Sequence, residues 1–132
     1  MIKEITKYIE NNTTGFDIGV NLFAGFIPST ITADSVVIIE TGGKPNFYLK
    51  DAPAKTIQVL SRAKDYFNAR ANALKVYDLI HGLCGIELPE VTTGELFYVN
   101  TIEAITEPQS LGQDESGKFI ISTNYVLHVQ DK

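Results

Sequence analysis

The feature that most constrains the fold is an alternation of side chains near the end of the sequence. Between Phe119 and Gln130, every second residue belongs to one mainly apolar set: Phe119, Ile121, Thr123, Tyr125, Leu127 and Val129. Alternate side chains of a β-strand point to opposite faces of a sheet. The alternation therefore predicts a long strand with one face on the core.

A second pattern, from Asp65 to Leu83, has the period of an α-helix. One face of the helical wheel collects Tyr66, Ala69, Ala73, Val76, Tyr77, Ile80 and Leu83. Asp65 is suited to cap the start of this helix, and Gly82 and Gly85 mark its end. We expect the apolar face of this helix to pack on the apolar face of the last strand, because each needs a partner.

The remaining elements are shorter. Ile2, Ile5 and Ile9 have helical spacing, and strands are predicted at Phe16–Phe26, Val36–Ile39, Thr56–Ala63 and Leu96–Thr106. The predicted order is α-β-β-β-α-β-β. Strands joined by short connections pair antiparallel. The sequence thus predicts an α+β fold, a mostly antiparallel sheet with helices packed on one face, in a single domain covering residues 1–132.

Composition narrows the classes of function. The chain of 132 residues has a net charge of -5, which disfavours a nucleic-acid-binding surface as its main feature. It has one cysteine, so an intrachain disulfide is not available. Charged residues interrupt the apolar residues at the N-terminus, so we expect neither a signal peptide nor a membrane span there.

Two places carry residues that could support chemistry. Asp114-Glu115-Ser116-Gly117 resembles part of a calcium loop, but the ligand spacing of such a loop does not continue into the following strand. We interpret it as a turn in which Gly117 takes a positive φ. Cys84 follows His81, as in a thiol nucleophile with its base, yet a buried structural thiol is the favoured interpretation. We therefore expect no enzyme activity, no metal and no cofactor.

The order and spacing of several segments resemble a known family. The segments are Asn21–Gly25, Ile39–Gly43 with Pro45 and Tyr48-Leu49, Ile57–Arg62, Val76–Leu83, and Glu107–Gly112 with Asp114–Gly117. Together they resemble the minor capsid and tail completion family of long-tailed bacteriophages, whose members act as tail terminators. The resemblance extends over nearly the whole chain.

This resemblance implies a structural virion protein and no catalytic residues. It implies a homo-oligomeric ring, a hexamer, that is assembled in the bacterial host cytoplasm. The ring would cap the tail tube and join it to the head-connector proteins, with genomic DNA passing through without specific binding and no membrane involved. Two alternatives remain open from the residues: a stand-alone adaptor or ligand-binding α+β module, and a small thiol enzyme using Cys84.

Two long loops are candidates for contacts in an assembly. The loop from Thr41 to Ala54 carries Phe47, Tyr48 and Leu49 between prolines, and aromatic side chains on a stiffened loop are common interface anchors. The loop from Glu107 to Lys118 carries Asp114, Glu115 and Gly117. We expect both loops to form inter-subunit or tail-tube contacts. The alternative is that the apolar residues of the first loop fold back and cover the sheet.

Overall fold

The computed structural model describes residues 1–42 and 54–131, and the description that follows concerns these residues. They form two helices and seven strands. In chain order these are α1 (Ile2–Asn12), β1 (Leu22–Ala24), β2 (Ser35–Gly42), β3 (Ala54–Ala63), α2 (Tyr66–Ile80), β4 (Cys84–Glu87), β5 (Phe97–Ala104), β6 (Gln109–Gln113) and β7 (Phe119–Asp131).

The strands form one sheet in the order β1-β2-β3-β7-β5-β4, and β6 also pairs with β7. β1 runs parallel to β2, and the other strand pairs among the described residues are antiparallel. β7 is the central strand, because β3 pairs along one of its edges while β5 and β6 pair along the other. The predicted α+β class with a mostly antiparallel sheet is confirmed.

Both helices contribute to a core on one face of the sheet. Ile5 of α1 and Val76 and Ile80 of α2 are fully buried in one cluster with Tyr125 and Leu127 of β7. The same cluster includes residues from the other long strands: Val36, Ile38, Ile57, Val59, Val99 and Ile102. The predicted packing of α2 on the apolar face of the last strand is therefore confirmed.

Small residues let the first turns of α2 approach the sheet closely. Ala69 and Ala73 of α2 are buried against Ala63 of β3 and Ile121 of β7. At this contact the buried Ser61 hydroxyl of β3 donates a 2.7 Å hydrogen bond to the Ala69 carbonyl. A larger side chain at either alanine would force the helix away from this bond.

The ends of α2 are set by local hydrogen bonds and by a glycine. Asp65 Oδ1 accepts a 2.9 Å hydrogen bond from Phe67 N, which confirms Asp65 as the N-cap. The helix ends at Ile80, before the predicted Leu83, because Gly82 has φ +84° and turns the chain out of the helix. Cys84 therefore starts β4 at the sheet edge and is exposed. The prediction of a buried thiol is wrong.

The predicted strand at Phe16–Phe26 is also largely wrong, because only Leu22–Ala24 is a strand. Polar residues of this segment form a compact turn instead. The Asn21 side chain donates to the Gly15 carbonyl and accepts from Asp17 N, both at 2.7 Å. Such side-chain hydrogen bonds compete with the sheet ladder and outweigh the apolar alternation here.

Candidate assembly surface

The turn from Asp114 to Lys118 is built around one carboxylate oxygen. Asp114 Oδ1 accepts hydrogen bonds from Ser116 N at 3.0 Å, Ser116 Oγ at 2.7 Å and Lys118 N at 3.0 Å. Gly117 has φ +82°, a conformation that glycine adopts without strain. The interpretation of this stretch as a turn is confirmed.

The turn is fastened to the sheet by an arginine. Arg62 of β3 donates from Nε to Asp114 Oδ2 at 2.7 Å and from Nη2 to Ser116 Oγ at 3.0 Å. The hydrogen bond from Ser116, followed by those from Lys118 N and Arg62, lowers the pKa of Asp114 to about 2. The carboxylate is therefore charged at neutral pH and holds the turn in one position.

Residues 105–118, which we call the β6 ribbon, continue the course of β5 along the same edge of β7. β5 pairs with residues 125–131 of β7, Ile105 N donates to Asn124 O at 2.8 Å, and β6 then pairs with residues 119–122. All five residues of β6 are exposed. The predicted loop at Glu107 to Lys118 thus contains a short edge strand as well as the turn.

Two large apolar side chains of the β6 ribbon project into solvent. Ile105 is 57% exposed and Leu111 is 58% exposed. The ladder with β7 shifts register between Ser110 and Gly112, so Leu111 is the extra residue of a β-bulge, and Gly112 has φ +88°. A bulge redirects a side chain away from the regular pleat, which accounts for the outward position of Leu111.

β1 and β6 are the two outer strands of one row across the sheet. The register connects Leu22 to Val36, Val36 to Ser61, Ser61 to Ile121, and Ile121 to Ser110. Strands lie about 4.8 Å apart, so these four steps separate β1 from β6 by roughly 19 Å along the sheet. The two outer strands differ in sequence and in direction, because β1 runs parallel to β2 whereas β6 runs antiparallel to β7.

An apolar groove, which we call the α1 groove, lies beside β1 and α1. It has a volume of about 380 Å³, and its walls include Ile18, Phe26, Pro28 and Val91. Phe26 is 70% exposed, and Ile18 and Val91 are also exposed. Three large apolar side chains exposed at one place mark a surface suited to contact with another molecule.

The charge of the α1 groove is opposite to that of the chain. Lys3 and Lys7 of α1 line it, and no carboxylate is among its described lining residues. Lys7 donates to Glu10 at 2.7 Å, whereas Lys3 is exposed. The whole sequence has 16 acidic and 11 basic residues, so the exposed Lys3 in this lining is a local exception, while Lys7 is paired with Glu10.

Comparison with known proteins gives this surface its context. The family model described as bacteriophage tail terminator protein matches residues 8–131. The chain belongs to this family. The resemblance inferred from the sequence is therefore confirmed, and this tail terminator is a structural component of the virion that associates with phage tail components. None of the curated proteins compared with the chain gives a significant match.

The histidine that precedes Cys84 in this tail terminator makes contacts of its own. His81 Nδ1 accepts a 3.0 Å hydrogen bond from Ala104 N, and the ring stacks on Tyr77. A neutral imidazole has one acceptor nitrogen, and here that nitrogen is already engaged. Nδ1 of His81 is therefore not free to take a proton from Cys84.

The predicted interface residues of the tail terminator are described in part. Asp114, Glu115 and Gly117 lie together at the tip of the β6 ribbon. Phe47, Tyr48 and Leu49 lie outside the described residues. Within the described ranges, neither helix has the length and apolar character needed to cross a membrane.

Sequence reasoning missed the α1 groove entirely. The predicted strand Phe16–Phe26 includes Ile18 and Phe26, whereas in the structure both lie outside β1 and form part of the groove wall. Val91 reaches the same wall from the segment after β4, far away in sequence. The exposed lysine-bearing face of α1 was the one local feature that could have indicated the groove.

Proposed function

We propose that this tail terminator forms a homo-oligomeric ring, a hexamer, that caps the assembled tail tube and joins it to the head-connector proteins. Copies of the chain assemble in the host cytoplasm and remain in the virion. Genomic DNA passes through the ring without specific binding. Membership of the tail terminator family supports the place of the protein at the tail, and the ring is our inference from its surfaces.

The observation that carries the proposal is the pair of unlike outer strands, β1 and β6, on one row of the sheet. A ring needs a head-to-tail interface, in which one surface of a subunit meets a different surface of the next. β1 is parallel to its neighbour and lies beside an apolar groove, whereas β6 is antiparallel and carries Leu111 on a bulge. Two such surfaces on one chain support a repeating contact.

The charge of the chain supports DNA passage without binding. DNA-binding surfaces concentrate Lys and Arg against the phosphates, whereas this chain has a net charge of -5. A lumen that carries the excess of carboxylates repels the phosphate backbone and leaves the DNA free to slide.

The loop between β2 and β3 supplies the second part of the proposed interface. We place Phe47, Tyr48 and Leu49 against the neighbouring subunit or the tube, because aromatic side chains flanked by prolines bind with a small loss of conformational freedom. The turn containing Asp114, Glu115 and Gly117 contributes from the other side of the same interface. Arg62 fixes that turn in position before assembly.

The proposal is tested by native mass spectrometry and negative-stain imaging of the purified protein, alone and mixed with tail tubes. We expect a closed ring with a mass of six chains and a ring-shaped cap at one end of each tube. A monomer that binds along the side of the tube would contradict the ring and favour an adaptor. A two-fold dimer would also contradict it, since that symmetry closes without a ring.

A further inference from the structure

The α1 groove and the β6 ribbon fit each other in several respects. We infer that in an assembly of this chain, the β6 ribbon of one copy docks in the α1 groove of the next, with Ile105 and Leu111 against its apolar wall. This inference rests on the proposed ring and assigns the two surfaces that join its subunits. The occupant of the groove is thus a second copy of the same chain.

The lining of the groove favours apolar side chains over a small polar ligand. Pockets for small molecules usually add several convergent polar groups to an apolar wall. Thr6, a hydroxyl-bearing residue of the lining, donates its hydroxyl to the Ile2 carbonyl at 2.6 Å. The exposed Phe26 and Val91 instead offer a surface that an aliphatic side chain can cover.

The charges of the two surfaces are complementary. The groove carries the exposed Lys3 and also Lys7, which is paired with Glu10, and carboxylates are lacking from the part of its lining that the structure describes. The β6 ribbon carries Glu107 and Glu115, both exposed. Opposite charges around an apolar contact orient two molecules and disfavour other pairings.

The positions of the two surfaces fit a repeating contact. The groove adjoins β1 and the ribbon contains β6, which are the opposite outer strands of one row of the sheet. A ribbon docked in the next copy's groove leaves its own groove free to accept another ribbon. Such a contact repeats in one direction and closes into a ring if the rotation between copies allows.

Disulfide trapping tests this contact. In a Cys84→Ser background, one chain carries Leu111→Cys and another carries Phe26→Cys; both positions are exposed, so folding should be retained. The two chains are mixed under mild oxidation and the products are separated without reductant. Because a disulfide requires Cα atoms within about 7 Å, we expect a linked heterodimer, and little linkage of either chain to itself.

In the matched control, the natural thiol of Cys84 takes the place of the thiol introduced by Phe26→Cys. Wild-type chain, with its exposed Cys84 on β4, is mixed with the Leu111→Cys chain and should give little linked product. A chain carrying both Leu111→Cys and Phe26→Cys should give a ladder of linked oligomers. Native mass of the unlinked wild type is measured in parallel.

Each outcome is decisive. A heterodimer and a ladder support the inference. A wild-type ring without groove-to-ribbon linkage overturns the inference and leaves the proposed ring intact. A wild-type chain that stays monomeric, with no linkage in any mixture, overturns both. Equal linkage to Cys84 and to Phe26→Cys shows random collision and overturns the specific contact.

Discussion

Arg62 Nε donates a 2.7 Å hydrogen bond to Asp114 Oδ2, and this ion pair joins β3 to the tip of the β6 ribbon. Arg62 lies on β3 and Asp114 in the turn that follows β6. Because β3 and β6 pair with opposite edges of β7, the ion pair reaches across β7. The same aspartate closes the turn through Ser116 and Lys118 N. One side chain thus determines both the shape of the turn and its place on the sheet.

We expect the contribution of Asp114 to stability to depend on pH. Its pKa is held at about 2 in the folded chain, below the value of about 3.9 for an unfolded aspartate. The charged carboxylate therefore stabilises the fold above pH ~4, and this contribution is lost as the pH falls towards 2. The free energy of unfolding of wild type and Asp114→Asn, measured by urea from pH 7 to pH 2, should converge at the acid end.

The control for this titration is Glu115→Gln, the neighbouring exposed carboxylate. It should track the wild type over the whole pH range. A difference between wild type and Asp114→Asn that stays constant down to pH 2 would contradict the assigned role of the charge.

Leu127 should be among the most sensitive positions of the core. Its side chain is fully buried on β7 with Val76 and Ile80 of α2. Leu127→Ala removes buried methyl groups and leaves a cavity, so we expect a loss of about 2–5 kcal/mol in the free energy of unfolding. Val20→Ala, at an exposed position, should change it by less than about 0.5 kcal/mol. Similar small losses for both variants would place the core on the wrong face of the sheet.

Cys84 should be reactive in the native chain. It is exposed at the start of the edge strand β4. A thiol reagent should therefore label native protein at a rate close to that of denatured protein. Cys84→Ser should leave the unfolding transition and the assembled mass unchanged. Slow native labelling that becomes fast only in denaturant would restore the buried thiol.

The aromatic loop between β2 and β3 should be needed for assembly rather than for folding. Phe47→Ser combined with Tyr48→Ser removes the proposed anchors, so we expect a cooperatively folded chain that no longer forms rings. Circular dichroism and native mass report the two properties separately. Phe67→Ser, which removes an exposed aromatic side chain of α2, should retain the ring.

The loop variant has two results that count against the interface. If the double variant unfolds, the aromatic residues cover the sheet within one subunit. If it folds and still forms normal rings, the loop makes no essential contact. A ring lost equally in Phe67→Ser would indicate a general sensitivity to aromatic loss.

The sequence predicts the core of this fold well, because the buried residues of a strand or helix recur in the sequence with the period of that element. Tyr125 and Leu127 in the last strand, and Val76 and Ile80 in α2, have the spacing of β and α structure and occupy the predicted faces. The order of the main elements follows from these patterns.

Strands without a buried face have no periodic pattern of apolar residues from which they could be predicted. β6 has five exposed residues, and β4 is exposed along most of its length, so neither has an apolar alternation to detect. Their presence depends on pairing with β7 and β5, which is a property of the whole sheet.

The candidate surfaces were predictable only in part. The turn at Asp114 has local turn chemistry, and Gly117 supplies its positive φ. The α1 groove combines Lys3, Phe26 and Val91, which the folded chain brings together from distant positions. The apolar periodicity predicts that Phe26 belongs to a strand. A local pattern in one sequence does not show which distant residues will line the same groove.

The bulge at Leu111 affects how unassembled copies of this chain can associate through the edge of the sheet. A regular edge strand offers evenly spaced N–H and C=O groups on which further strands can add without limit, as in fibrils. The register shift at Leu111 breaks that spacing in the middle of a five-residue strand. The same irregularity that turns the leucine outwards thus discourages open-ended growth of the sheet, and selects finite, side-chain-directed association over polymerisation.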